Sequence, residues 1–415
     1  MNKLDALIAE LCPQGVERKR LGDIGVVVRG NGLQKKDFTE SGVGCIHYGQ
    51  IYTYYGTCAY KTKSFVSHEL AEKLQKVNKG DLVIAVTSEN VEDVGKCVVW
   101  LGDEQIVTGA HAAIFRHNQD PKYVAYWFQT NDFFTQKKRI AKGTKVIDLT
   151  PQKLEEVTMP VPPLPVQREI VRILDNFAEL TAELTTELTA RKKQYEYYRD
   201  TLLTFDVHRG GTFETKWRTL GEVCDLSAGG DVPKDKFSKE KTEEFTVPIF
   251  SNGVGNNALY GYTDKAKIKA PCVTIAARGT IGYCALHDED FYPIIRLICA
   301  KPKDCVLAGY LKYYVETLHF KVPASGIPQL TVPMVAKYKI PVPEIEIQKK
   351  IVDVLDNFDA ICSDLNIGLP AEIEARKKQY EYYRDMLLTF AAADDIILTD
   401  RQTDRQTDRQ TDRQT

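Results

Sequence analysis

RKKQYEYYRD occupies residues 191–200 and returns letter for letter at residues 376–385. The duplication reaches further out. PVPPLPVQREIVRILDNF (160–177) faces PVPEIEIQKKIVDVLDNF (341–358) at an offset of 181, which becomes 185 at the decamer, so the second copy holds extra residues between LDNF and RKKQ. A fainter echo lies upstream, LGDI at Leu21 and LGEV at Leu220. The chain reads as variable, repeat, variable, repeat.

Each repeat opens on prolines that end an extended segment, then turns helical. In the first copy, apolar residues stand at 170, 174, 177, 184, 188, 195, 198, 202 and 205. Spacings of three, four and seven describe a coiled-coil seam rather than a broad core face. Two such helices, one per repeat, are expected to pack antiparallel about a pseudo-twofold, with Gly368 and Pro370 breaking the second. Tyr195, Tyr198, Leu202 and Phe205 take the seam. Arg191, Lys193, Tyr197 and Asp200, with Arg376, Lys378, Tyr382 and Asp385, cannot all do so. Exposed residues duplicated without change suggest two identical surfaces meeting two copies of one partner.

Composition narrows the class. The chain has 415 residues, 43% of them hydrophobic, and a formal net charge of −2. No run of about 18 apolar residues suggests a membrane span. MNKLDALIAELCPQG reads as a short amphipathic helix, not a signal peptide. Ten cysteines without a CxxC fit free thiols in a reducing cytoplasm and give no zinc spacing.

The variable segments, 21–158 and 210–337, mix short strand-like runs with loops. GDLVIAV, KCVVW, CVTIAA and PIIRLICA read as strands, and YVAYWFQTNDFFTQKKRI and AGYLKYYVETLHF as one helix each. Each segment ends in a polar turn and a proline-flanked strand, KGTKVIDLTPQKL or ASGIPQLTVPMV. This is one α+β module used twice with different letters. The modules carry net charges of only +1 and +2, too little to hold DNA by counterion release alone. Their loops are rich in types that pair with or stack on bases. Gln50, Tyr52, Tyr54, Ser88, Asn90, Lys142 and Lys145 are the candidates in the first module. Asn252, Asn256, Asn257, Tyr262, Arg278, Thr280 and Gln329 are those in the second.

Catalytic motifs are missing. Gly95-Lys96 is followed by Cys97 and lacks the upstream glycine of a phosphate loop, and no glycine-rich strand-to-helix turn would cradle a dinucleotide or S-adenosylmethionine. His47, His68, His111 and His117 are scattered and read as structural. A non-enzyme is expected, without metal or cofactor of its own.

Two diverged modules alternating with two proline-led helical repeats, with FAEL-TAEL-TTEL at 177–188, resemble the specificity subunit of type I restriction-modification enzymes. The likeness is to the subgroup with tandem TAEL in the central helix. It implies two α/β target recognition domains, each reading half of a split site on double-stranded DNA. It further implies that the helices dock two methylation subunits and that restriction-translocase subunits join them. S-adenosylmethionine, ATP and Mg would belong to those partners. The domains expected are an N-terminal arm (1–20), target recognition domains at 21–158 and 208–337, repeat helices at 159–207 and 338–392, and a tail at 393–415. The tail's tandem TDRQ is expected to be disordered, and a four-nucleotide repeat read in triplets would produce it. The competing function is a pseudosymmetric scaffold joining two identical proteins without reading bases.

Overall fold

The computed structural model describes residues 3–205, 215–234, 236–322, 328–363 and 368–390. The TDRQ tail lies outside them. The chain divides into two compact units, Met1–Leu184 with Ile373–Thr415, and Thr185–Glu372. The division does not follow the linear segments. Each unit takes one variable module, the LDNF half of one repeat and the RKKQYEYYRD half of the other.

In the first unit, five strands run in the order Gly25–Arg29, Ala112–His117, Leu82–Ala85, Cys97–Trp100, Cys58–Ala59. A second sheet orders Ser64–Val66, Val43–Ile46, Ile106–Thr108 and Gln75–Val77. Leu82 to Ala85 are buried on both faces, which matches their unbroken apolar run. Arg18–Arg20 pairs with Thr158–Pro160 and ties the ends of the module together. The second unit repeats the plan. Its main sheet orders Cys224–Ala228, Ile298–Pro302, Cys272–Ile275 and Cys284–His287, and Lys216–Thr219 pairs with Lys339–Val342 as the clasp.

The central repeat forms one helix of 39 residues, Leu164–Leu202. The C-terminal repeat gives two, Ile345–Ser363 and Leu369–Thr389, with Gly368 and Pro370 at the start of the second. The module ends and helix starts are joined by the same contacts in both units. Gln167 is buried; its Oε1 accepts from Asp120 N (2.9 Å) and its Nε2 donates to Pro162 O (2.7 Å). Gln348 does the same with Leu307 N (2.9 Å) and Pro343 O (2.8 Å). Tyr126 Oη donates to Asp175 at 2.6 Å, and Tyr313 Oη donates to Asp356 at 2.6 Å. Phe177 stacks on Tyr383 within the first unit (5.5 Å, 23°), and Phe358 on Tyr198 within the second (5.3 Å, 28°). The duplicated sequence folds into duplicated bonds.

Two expected elements are corrected. YVAYWFQTNDFFTQKKRI is two helices, Pro121–Trp127 and Asn131–Ile140, because Thr130 accepts from Phe133 N and caps a new start. PIIRLICA is not one strand: Tyr292–Pro293 ends, Ile295 and Arg296 take φ of 53° and 59°, and Ile298–Pro302 begins afterwards. The N-terminal helix, Lys3–Leu11, forms where expected. Among the described residues, no helix is long and apolar enough to cross a membrane, and no group of three or more His, Cys, Asp or Glu could hold a metal ion.

Candidate nucleic-acid interface

Backbone hydrogen bonds put the two modules into register. Leu149 N donates to Val86 O and Leu330 N to Ala277 O, both at 2.9 Å. Gly30 N donates to Ala112 O (2.9 Å) and Gly229 N to Leu297 O (2.8 Å). These pairs align Thr87 with Arg278, Asp148 with Gln329, and His111 with Arg296. Thr87 and Arg278 come just after equivalent strands of the main sheets, and His111 and Arg296 just before equivalent strands.

In the first unit, Gln50 sits in the helix Tyr48–Thr53 and is spent locally: its Oε1 accepts from His47 N (3.0 Å) and its Nε2 donates to Ser64 Oγ (2.7 Å). Tyr52 donates to Thr87 O (2.8 Å), and burial pushes its phenol up to about 12. Tyr54 is 56% exposed, edge-on to Tyr55 at 4.9 Å and with Lys63 Nζ 4.5 Å from its ring centroid. Asn90 shapes a turn, its Oδ1 accepting from Asp93 N (2.7 Å) and its Nδ2 donating to Asp93 Oδ2 (2.9 Å). Ser88 pairs with Ile147 across a two-stranded ribbon. Lys142 exchanges backbone bonds with Asp148 (2.8 and 3.2 Å), so Lys142 and Lys145 both stand exposed on the hairpin 142–148. Gly143 (φ +127°) makes that turn possible, since a Cβ there would meet Val146 O at 1.9 Å. Arg29 donates to both oxygens of Asp148 (3.2 and 2.5 Å), and Thr87 Oγ1 meets His111 Nδ1 at 2.9 Å.

In the second unit, Asn252 is the loop organiser. Its Oδ1 accepts from Ala277 N and its Nδ2 donates to Ile295 O, both at 2.7 Å, and Thr280 Oγ1 donates to Asn252 O at 2.9 Å. Asn256 and Asn257 are exposed in the 3-10 turn Gly255–Ala258. Tyr262 is half-buried in the strand Leu259–Thr263. Arg278 Nε and Nη2 both donate to Gln329 Oε1 (3.0 and 2.7 Å), which also accepts from Arg296 Nη1 at 3.4 Å. Two successive non-glycine residues in the left-handed region cost of the order of 1–3 kcal/mol each. That strain at Ile295 and Arg296 is held by Ile295 N→Gly230 O (2.8 Å) and Arg296 N→Gly229 O (3.1 Å).

Sequence reasoning missed Arg29, His111 and Arg296 as members of these clusters. The tetrads IDLT (147–150) and PQLT (328–331) carried a usable signal, since aligning them pairs Asp148 with Gln329.

The repeated decamers meet different surroundings. Tyr197 is 67% exposed and Lys193 is exposed. Arg191 donates to Gln194 Oε1 (3.2 Å), and Asp200 is exposed, accepting from Arg199 (2.9 Å). Arg376 donates to Gln379 (3.3 Å), Lys378 pairs with Glu374 (3.5 Å), and Tyr382 is half-buried. Asp385 is only 7% exposed and accepts from Asn131 N (3.2 Å), so it faces its own unit.

The family model "Type I restriction modification DNA specificity domain" matches residues 13–191 and 214–375. A Mycoplasma pneumoniae protein named as a type I specificity subunit is 37% identical over 285 residues, covering 65% of this chain and 82% of that one. The EcoR124I/EcoR124II specificity subunit of Escherichia coli is 32% identical over 309 residues, 66% of this chain and 72% of its own. Among solved structures, a chain from a study of type I restriction-modification complex assembly and conformational transition aligns with TM-score 0.60 and 18% identity, over 90% of this chain and 98% of that one. The S subunit from M. genitalium aligns at TM-score 0.53 and 15% identity, over 90% and 96%; at these identities the two structures speak for the fold. With two matched modules on duplicated helices, and with relatives of this identity and coverage, the chain belongs to the type I restriction-modification DNA specificity family.

Proposed function

We propose that each unit reads one half of a bipartite site on double-stranded DNA, through the loops at the end of its main sheet. The observation that carries this is the pairing of a shared framework with unlike chemistry inside one chain. The same backbone bonds hold both clusters, yet one presents Arg29, Asp148, Thr87 and His111 and the other Arg278, Arg296 and Gln329. A scaffold without base reading has no need of that difference.

In this reading the repeated helices pack as an antiparallel coiled coil about a pseudo-twofold and set the gap between half-sites, as in the subgroup with tandem TAEL. Arg191, Lys193, Tyr197 and Asp200 on one decamer, and Arg376, Lys378 and Tyr382 on the other, dock two methylation subunits; Asp385 is left out because it is buried. The complex is cytoplasmic, restriction-translocase subunits complete it, and S-adenosylmethionine, ATP and Mg act in the partners. The test is an exchange of residues 210–337 for the same module of a relative, followed by genome-wide mapping of methylated bases. One half-site is expected to change while the other stays. If both half-sites change together, independent reading is wrong.

A further inference from the structure

The equivalent positions of the two clusters differ in charge. In the first unit, Arg29 is neutralised by the Asp148 carboxylate, which accepts from Nη1 and Nη2 (3.2 and 2.5 Å). In the second, the residue at the Asp148 position is Gln329, a neutral amide whose single Oε1 accepts from two guanidiniums, Arg278 and Arg296. Hydrogen bonds with one ionised partner are about twice as strong as neutral ones, and a bidentate guanidinium–carboxylate pair adds the opposite charge and a second bond to that. Arg278 can therefore exchange its acceptor for another at little loss, whereas Arg29 would have to abandon a carboxylate. Two positive charges share one neutral acceptor, and the position invites an incoming group with two acceptors.

The fork is also held in place. Ala277 N and Ile295 O, next to the two arginines in sequence, are joined through the single side chain of Asn252 at 2.7 Å each. Leu330 N, one residue beyond Gln329, is bonded to Ala277 O at 2.9 Å. Ile295 and Arg296 are exposed, and their left-handed backbone turns the Arg296 side of the loop outward from the next strand. Arg278 Nη1 and Arg296 Nη2 make no hydrogen bond among the described residues. Backbone fixed beside both arginines, with guanidinium N–H groups left over for another acceptor, suits recognition of a rigid planar edge.

We infer that Arg278 and Arg296, poised on Gln329, form a guanine-reading fork, so that the half-site of the second unit contains a G·C pair read in the major groove by Arg278. Guanine offers O6 and N7 as adjacent acceptors, which match one guanidinium bidentately. Gln329 then acts as a positioning residue that presents the fork in the absence of DNA and releases it on contact. The first unit, with its arginine neutralised, reads no base through Arg29. The inference rests on the half-site reading proposed for the two units.

The test co-expresses the chain with its methylation partner in a host lacking the system and maps methylated bases for the natural chain, Arg278→Lys and Gln329→Glu. Lysine keeps the charge and loses the bidentate geometry. Glutamate supplies the carboxylate that silences Arg29. Both variants are expected to tolerate any base pair at one G·C position of one half-site, discrimination there falling roughly 5- to 150-fold. The remaining positions and the other half-site are expected to stay as they were, which also shows that the chain is folded. A second-unit half-site without a G·C pair overturns the inference. So does an equal loss at all sites with the sequence unchanged, which would make Arg278 a phosphate contact. Loss of all methylation in both variants overturns it too, since a reader missing one contact still holds the rest of its site. A map without any bipartite site would instead sink the underlying reading.

Discussion

The Tyr–Asp bonds that join each module to its LDNF helix make a measurable claim about independence. Tyr126 is 4% exposed and donates to Asp175 at 2.6 Å; Tyr313 is 2% exposed and donates to Asp356 at 2.6 Å. Burial first, and then the adjacent carboxylate, raise both phenols, so each remains a donor throughout the working pH range. Replacing Tyr126 or Tyr313 by Phe removes one hydrogen bond to a charged acceptor and little volume. A bond of that kind contributes about 1.5–3 kcal/mol. In the first unit, Asp175 keeps Lys122 at 2.8 Å as a second partner, which places Tyr126→Phe toward the lower end of the range. Amide hydrogen exchange read by mass spectrometry gives the unit-by-unit answer. A loss of 1.5–3 kcal/mol corresponds to exchange faster by about 10- to 150-fold through openings that break the bond. Tyr126→Phe is expected to accelerate peptides from Pro121–Trp127 and Ala112–His117, and Tyr313→Phe those from Ala308–Glu316 and Cys284–His287. If either variant accelerated both units equally, each bond would be supporting the whole chain, and the two units would not be separate cooperative bodies.

Acid should weaken both units through buried histidines. Burial lowers His117 and His287 to about 4 in the fold against an ordinary 6.5, so the unfolded chain binds more protons between those values and stability falls as pH drops through that window. Each contributes a loss of about 2 kcal/mol on going from pH 7 to pH 5; thermal melts of His117→Gln and His287→Gln should show a shallower pH slope than the natural chain, and an unchanged slope refutes it. A second expectation concerns the boundary between the units, which falls after Leu184 inside the FAEL-TAEL-TTEL stretch of a continuous helix. Adding one TAEL there adds about 6 Å and rotates the downstream part of the helix by roughly 40° beyond a full turn, against about 3.4 Å and roughly 34° for one base pair. Methylation mapping should find both half-sites kept and the gap about one base pair wider, and an unchanged gap would mean that the helix does not set it.

The helices were legible because their signal is local and periodic. Ile170 and Leu174 are picked out as inward-facing by spacing alone and are fully buried, in the core of the first unit. The proposed reading surface is different in kind. Arg29 and Asp148 are 119 residues apart, and Arg278 and Gln329 are 51 apart. No window contains both partners of either pair, so only the sheet that brings the loops together defines them. For the same reason Gln50, Asn90 and Asn252 were credible base readers by residue type and yet have their side chains engaged in loop building. The break inside PIIRLICA was hidden because Ile295 is a strand former by propensity; the bonds to Gly229 and Gly230 override that preference and set Arg296 outward.

The identity of the two decamers has two explanations, and the structure divides them residue by residue. Tyr198 and Tyr383 stack on Phe358 and Phe177, and Tyr195 and Tyr380 pack into their own cores, so identity at those positions is explained by identical neighbours. The last residue belongs partly with these, since each aspartate accepts from the arginine beside it. Asp385 is in addition buried on Asn131 N, which keeps it out of the proposed docking surface, while Asp200 is exposed. Lys193 and Lys378 are different, exposed and answerable to no core, and so is Tyr197, 67% exposed with its ring edge-on to Tyr198. Letters kept alike where no core demands them point to a demand from outside the chain, presented twice, and this supports docking of two copies of one partner more directly than the identity of the whole decamer does.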